Sequence, residues 1–310
     1  MKKDLKLHTA LLCALLVLLC ACGEGETPVS SAIVTSSPVP VGTYEAPPFA
    51  GSSFDPDAAE GNEQVLIDLS HIEEGYLGVS ATSDSRLKFQ VLKDEEKYNY
   101  DMENDGTPSI FPLQSGDGTY VFRVMENIVD KKYAAIYETS AQVVLSDEFQ
   151  PYLRPSDYSN YSEDSACVAK AAELAAAANS QVDVIESIYA FVTKNVTYDR
   201  EKAETVQSGY LPVPDETLST GKGICFDYAS LAAAMLRSQG IPTKIVFGYV
   251  SPRDVYHAWN MFYTEETGWT VVKFTAEDDS WIRLDLTFAA NGRDAKFIGD
   301  GGNYAEVYHY

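Results

Sequence analysis

Between about Glu63 and Gln150, apolar and polar positions alternate or cluster over short runs rich in β-branched and aromatic residues. These are Val65-Leu66-Ile67, Leu87-Lys88-Phe89-Gln90-Val91, Tyr120-Val121-Phe122-Arg123-Val124 and Ala141-Gln142-Val143-Val144-Leu145. Turn residues separate them at Glu74-Gly75, Asn104-Asp105-Gly106 and Ser115-Gly116-Asp117-Gly118. Short strands at this spacing predict a small all-β, sandwich-like domain over 63–150. It shows no chemistry of its own and reads as a spacer or binding module. At Pro151 to Pro155 the pattern changes to helix formers. Ser165 to Ala178 is alanine-rich, and Val182, Ile185, Ile188, Tyr189 and Val192 then recur at helical spacing. After a loop punctuated by Gly and Pro (Gly209 to Gly223), a helix is predicted from Cys225 to Gln239, stopped by Gly240 and Pro242. Strands follow at Thr243 to Val250, His257 to Tyr263, Trp269 to Phe274 and Trp281 to Phe288. Helices first and an antiparallel sheet after give an α+β domain over 151–310.

The start of the chain follows neither pattern. Lys2, Lys3 and Lys6 precede an apolar run from Leu11 to Leu19 that is too short to span a bilayer comfortably, the layout of a secretory leader. From Gly23 to about Asn62 the chain is dense in Pro, Ser, Thr, Gly and Glu, which predicts a solvated tether over 22–62. The junction Leu19-Cys20-Ala21-Cys22-Gly23 resembles a bacterial lipobox. That resemblance implies a lipoprotein signal peptide over 1–21, with Cys22 as the site of lipid attachment. An ordinary cleaved leader is the other reading, and both imply export. On the lipobox reading the protein sits on the extracellular face of the cell membrane, held by its anchor alone.

With 45% apolar and 12% aromatic residues, 310 residues are enough to build substantial cores. The 46 acidic against 23 basic residues give a net charge of −23, which repels phosphate backbones and argues against nucleic acid as a partner. Of five cysteines, Cys13, Cys20 and Cys22 lie at the start, so only Cys167 and Cys225 belong to the body. That excludes a disulfide framework and a four-cysteine zinc site.

Cys225 follows Gly221-Lys222-Gly223-Ile224 and opens a helix whose buried stripe is Tyr228, Leu231, Ala232, Met235 and Leu236. In the first helical turn, free backbone N–H groups and the helix dipole favour a thiolate. On the strand after it, alternation puts His257, Trp259 and Met261 on one face and Ala258, Asn260 and Phe262 on the other. Asp285 shares a strand face with Trp281, Arg283 and Thr287, where an ion pair with Arg283 is the bland alternative. A cysteine at a helix start, a histidine at a strand start and an aspartate on a following strand supply a nucleophile, a base and an orienting acid.

Three stretches carry a family likeness: Gly221-Lys222-Gly223-Ile224-Cys225-Phe226-Asp227-Tyr228-Ala229, Arg237-Ser238-Gln239-Gly240-Ile241-Pro242-Thr243-Lys244 and Tyr256-His257-Ala258-Trp259-Asn260. Over roughly 180–310 the chain resembles the bacterial transglutaminase-like superfamily, whose fold is papain-like. The resemblance implies Cys225 as nucleophile, His257 as base and Asp285 as the residue that holds the imidazole. It also implies acyl transfer or hydrolysis of protein or peptide amides through a thioester, without a cofactor. The partner is then a protein or peptide substrate, of the cell wall or elsewhere, and a non-catalytic binding module on the same fold is the competing reading. Two departures stand out. Leu286 replaces the proline usual after the aspartate, and Thr270 to Asp279 reads as an added hairpin. A zinc site built from the same three residues explains the helix-start cysteine less well. Asp101 to Gly106 starts like a calcium loop, but Pro112 stands where the bidentate glutamate is needed. Cys167 reads as a buried thiol, and a free Cys225 is a requirement of the enzyme reading.

Overall fold

A computed structural model describes residues 42–251, 255–265, 268–270 and 304–310. The described residues belong to one compact unit. The N-terminal part is sheet-rich. Strands β1 (Glu60–Gly61), β2 (Val65–Asp68), β3 (Tyr76–Ala81), β4 (Leu87–Lys93), β5 (Glu96–Met102), β6 (Ser109–Pro112), β7 (Gly118–Val129) and β8 (Lys132–Val143) form two antiparallel sheets, ordered β1-β2-β3-β6 and β5-β4-β7-β8. Both sheets turn apolar residues onto one core, where Phe89 stacks on Phe111 across the sheets with ring centroids 4.6 Å apart. The sandwich-like expectation is realised, with β1, β3, β5 and β6 added to the runs read from the sequence. From Lys97 on, β5 alternates, but its apolar half is tyrosine and methionine: Tyr98, Tyr100 and Met102 point in, while Lys97 and Asn99 face solvent.

The helical part follows with α1 (Ala166–Ala175), α2 (Gln181–Asn195), a two-residue strand β9 (Thr197–Tyr198), α3 (Arg200–Thr205), α4 (Pro214–Thr220), β10 (Lys222–Gly223) and α5 (Cys225–Ser238). The stretch expected as a Gly/Pro loop therefore contains α4, which starts with Pro214 in its first turn and ends on Gly221 at φ 62°. Proline costs nothing at a helix start, where its missing N–H would be unpaired anyway. Strands β11 (Thr243–Val250), β12 (Val255–Thr264), β13 (Gly268–Thr270) and β14 (Tyr304–His309) then form an antiparallel sheet ordered β13-β12-β11-β14. The last strand brings Tyr310 into the core shared by the N-terminal sheets. The predicted strand Trp281 to Phe288 and the hairpin beyond Thr270 lie outside the described residues.

Helix α5 organises this half. The expected stripe Tyr228, Leu231, Ala232, Met235 and Leu236 is buried, but so are Ala229, Ala233 and Ala234 on its other sides. Helices α1, α2 and α4 cover one flank and β11 with β12 the other, and alanine lets the sheet approach closely. At its C-terminal end Arg237 is 2% exposed and donates to the carbonyls of Thr243, Arg154 and Tyr310. A buried guanidinium with its N–H groups on backbone oxygens ties helix, sheet and preceding loop together.

One expectation is corrected. Residues 42–54, expected to be part of the solvated tether, lie on the body. Gly42 N–H donates to Ala176 O and Tyr44 N–H to Ala178 O, Phe49 meets Tyr161 edge-on at 5.9 Å, and Ser52 Oγ donates to Pro155 O. Composition read this stretch as loose because its few aromatics show no period. Tyr44 and Phe49 are anchored by partners more than 100 residues away, and Phe54 lies against Gly78.

Candidate active site

Cys225 is the first residue of α5 and is half-buried, whereas the rest of the helix from Asp227 onward is closed off. Its thiol is free, as is that of Cys167. The sequence places a nucleophile candidate where the strand-to-helix turn leaves one side chain reachable. Lys222-Gly223 pairs in parallel with Thr197-Tyr198, which holds the entry to the helix: Thr197 N–H donates to Gly221 O and Asp199 N–H to Gly223 O, each at 2.9 Å. Gly223 is required there, because a Cβ would come within 2.5 Å of the Asp227 side chain.

Asp227, in the third position of α5, is fully buried. One carboxylate oxygen accepts the Ile224 N–H at 2.7 Å, satisfying a donor just ahead of Cys225. The same carboxylate carries an ion pair with Lys202 of α3 at 2.9 Å and accepts the Tyr210 hydroxyl. Lys202 also donates to the Tyr210 hydroxyl oxygen at 2.6 Å and lies over its ring. None of these three residues was singled out from the sequence. A carboxylate at the third position of a helix is a readable capping signal, but its cation and phenol come from separate elements.

The sheet delivers the other candidate. β12 runs antiparallel to β11 with Ala258 opposite Phe247, His257 opposite Gly248 and Tyr256 opposite Tyr249. The expected alternation holds. Ala258 packs with Ala229, Ala233, Ile245 and Cys225, and Asn260 Nδ2 donates to Ala229 O, so this face meets α5. Trp259 packs with Val246, Val250 and Met261 on the other face. His257 is 5% exposed, and by register it shares the face of Trp259. Its two neighbours, Tyr256 and Ala258, lie toward Cys225. Cys225 thus lies against the α5-facing side of β12, beside Tyr256 and Ala258, whereas by register the His257 position between them belongs to the opposite face. Asp285 and Cys22 lie outside the described residues.

Two tyrosines flank the thiol. Tyr198 of β9 and Tyr256 of β12 are both pushed above the ordinary phenol range, first by burial and in part by the proximity of Cys225. Tyr256 is 52% exposed, so the approach to the cysteine is walled by an accessible aromatic ring. A cleft of about 390 Å³ lies nearby, lined by Lys202, Glu201, Glu216 and Lys222 among others; Cys225 is not part of its lining. Among the described residues no group of His, Cys, Asp and Glu is arranged to hold a metal ion.

Cys167 is the contrast. It lies in the first turn of α1, where Asp215 of α4 accepts the Ala166 and Cys167 N–H groups at 2.9 and 2.8 Å. The residue is fully buried. Burial, and then its hydrogen bond to Asp215 and the charge of that carboxylate, push the thiol well above the ordinary range. The expectation of a buried thiol holds.

A helix that opens on a free cysteine and packs against an antiparallel sheet has the layout of the papain-like cysteine proteases and transglutaminases. Residues 168–286 match the pattern of the Transglutaminase-like superfamily, and over this stretch the chain carries a transglutaminase-like domain. The chain is 39% identical over 62 residues to a UPF0252 protein of Methanocaldococcus jannaschii, covering 18% of each chain. It is 22% identical over 204 residues to cytokinesis protein 3 of Schizosaccharomyces pombe, covering 65% of this chain and 19% of that one. It thus spans about a fifth of the length of these curated relatives. Similar solved structures include a candidate cysteine protease from Cytophaga hutchinsonii (18% identity, 76% of this chain and 86% of that one, TM-score 0.38). Another is Legionella pneumophila LapG (17% identity, 46% and 70%, TM-score 0.31).

Proposed function

We propose that the protein is an exported, lipid-anchored cysteine enzyme that acts on protein or peptide amides outside the cell, with Cys225 as nucleophile, His257 as base and Asp285 as the residue orienting the imidazole. The observation that carries this reading is the free, half-exposed thiol that opens an otherwise buried helix. Its thiolate attacks the carbonyl carbon of a carboxamide. The leaving nitrogen takes a proton from the imidazolium and departs as ammonia or an amine, leaving a thioester. Water or a second amine, giving up a proton to the now neutral imidazole, then attacks the thioester, and the sulfur leaves as thiolate. The Cys225 backbone N–H, unpaired within the helix, is one donor for the oxyanion. Cys22 is the proposed attachment point for the anchor. Among the described residues no helix is long and apolar enough to cross a membrane.

The test is turnover of a glutamine-containing peptide by the intact chain, with ammonia release measured in the presence and absence of a primary amine. Ammonia release that Cys225→Ala abolishes is expected, and incorporation of the amine separates transfer from hydrolysis. A second reading, a binding module on the same fold, is favoured only by Leu286. It would gain support if Cys225→Ala kept the protein's biological effect.

A further inference from the structure

The charged cluster behind the nucleophile has no role in the reaction just described. Asp227 sits two residues after Cys225, fully buried, and its carboxylate is bound by the Ile224 N–H, the Lys202 ammonium and the Tyr210 hydroxyl. A lone buried carboxylate this close to a thiol would oppose thiolate formation, since like charges inside a protein interact strongly. An ammonium within 3.0 Å of both of its oxygens cancels most of that field. Capping the helix would require only the aspartate; the lysine and the phenol are additional.

We infer that Asp227, Lys202 and Tyr210 are positioning residues that hold the first turn of α5 while keeping the carboxylate beside Cys225 electrically balanced. The inference rests on Cys225 being the nucleophile. Among the described residues, Tyr198 and Tyr256 face the thiol from β9 and β12, Lys202 and Tyr210 face Asp227, and the charge of Glu216 on α4 acts on Tyr210. Lys202 is the cation bound to the buried carboxylate, and its side chain is 28% exposed, so it can be replaced without opening the core.

The charge balance predicts shifts of opposite sign, which simple loosening of the turn does not. In the intact chain, the rate of iodoacetamide labelling at Cys225 is followed against pH. Lys202→Met unmasks the carboxylate and moves the midpoint of the profile upward. Asp227→Asn leaves the ammonium unopposed and moves it downward, each by about half a pH unit or more. The double variant returns toward the wild-type midpoint, and Lys202→Arg keeps it. Should Lys202→Met fail to fold, the downward shift in Asp227→Asn carries the test alone, because a disordered turn would weaken the helix-end field and shift the profile upward. Shifts in one direction for both variants, or none, in a protein whose wild-type cysteine labels readily would overturn this inference and leave the enzyme reading standing. A wild-type Cys225 that labels no faster than in the unfolded chain would overturn both.

Discussion

Both body cysteines open helices, and both helices are capped by a buried or half-buried carboxylate, yet their surroundings are opposed. At α1, Asp215 caps the turn and bonds the Cys167 thiol itself, with no cation paired to it among the described residues, in a site closed to solvent. At α5, Asp227 caps from behind, Lys202 and Tyr210 occupy its oxygens, and Cys225 faces outward beside two tyrosines. On the proposed reading a helix N-terminus does not by itself make a reactive cysteine; the charge next to the sulfur and its access to solvent decide.

The contrast breaks most completely at Cys225. Cys225→Ala is expected to reduce turnover by at least about 10³-fold with little change in thermal stability. Cys167→Ala should leave turnover intact and cost about 1 kcal/mol of stability in a denaturant titration. Equal losses of activity in the two variants would erase the distinction. His257→Ala should reduce turnover by roughly 10²- to 10⁴-fold while circular dichroism stays native. An unchanged rate would remove His257 from the site.

The comparison is sharpened at Asp215. Replacing it by asparagine removes the charge that holds the Cys167 thiol up, so the labelling profile of Cys167 should move to lower pH once local opening exposes it, with no gain in turnover. A profile that stays put would mean that burial alone controls this thiol.

The smallest effect is expected at the join of the two halves. Asp157 bonds the Ile110 N–H at 2.8 Å, and burial raises its carboxyl to about 6. A carboxyl whose folded pKa lies above its unfolded value of about 3.9 costs stability as pH rises through the window from about 4 to 6, and the cost is complete above it. Asp157→Asn should therefore gain on the order of 1 kcal/mol over wild type at pH 7, a gain that fades as pH falls from about 6 to 4. Melting temperatures of both proteins at pH 4 and 7 measure the difference.

Much of this arrangement was legible before any coordinates. The glycines before Cys225 and the 3.6-residue spacing after it mark the helix and its start, and alternation in β12 sorted Ala258 and Asn260 from Trp259 correctly. What escaped depends on distant partners. β5 hides its apolar face in tyrosines, β14 becomes a strand only because β11 offers an edge, and residues 42–54 are ordered by contacts to α1 and the loops around Pro155 and Gly240. The same holds at the site. Asp227 was within the family-like stretch, but Lys202 and Tyr210 reach it from 25 and 17 residues away, and Asp215 reaches Cys167 from 48. Local patterns foretell elements; the charge balance around a thiol is set by the packing between them.

The most direct test of the central claim is brief labelling of the native protein with iodoacetamide at pH 7, followed by peptide mapping, beside the same reaction on unfolded chain. Rapid native labelling at Cys225, lost in His257→Ala, with Cys167 labelled only after unfolding, is the predicted result. Native protection of both cysteines, or a disulfide between them, would contradict it.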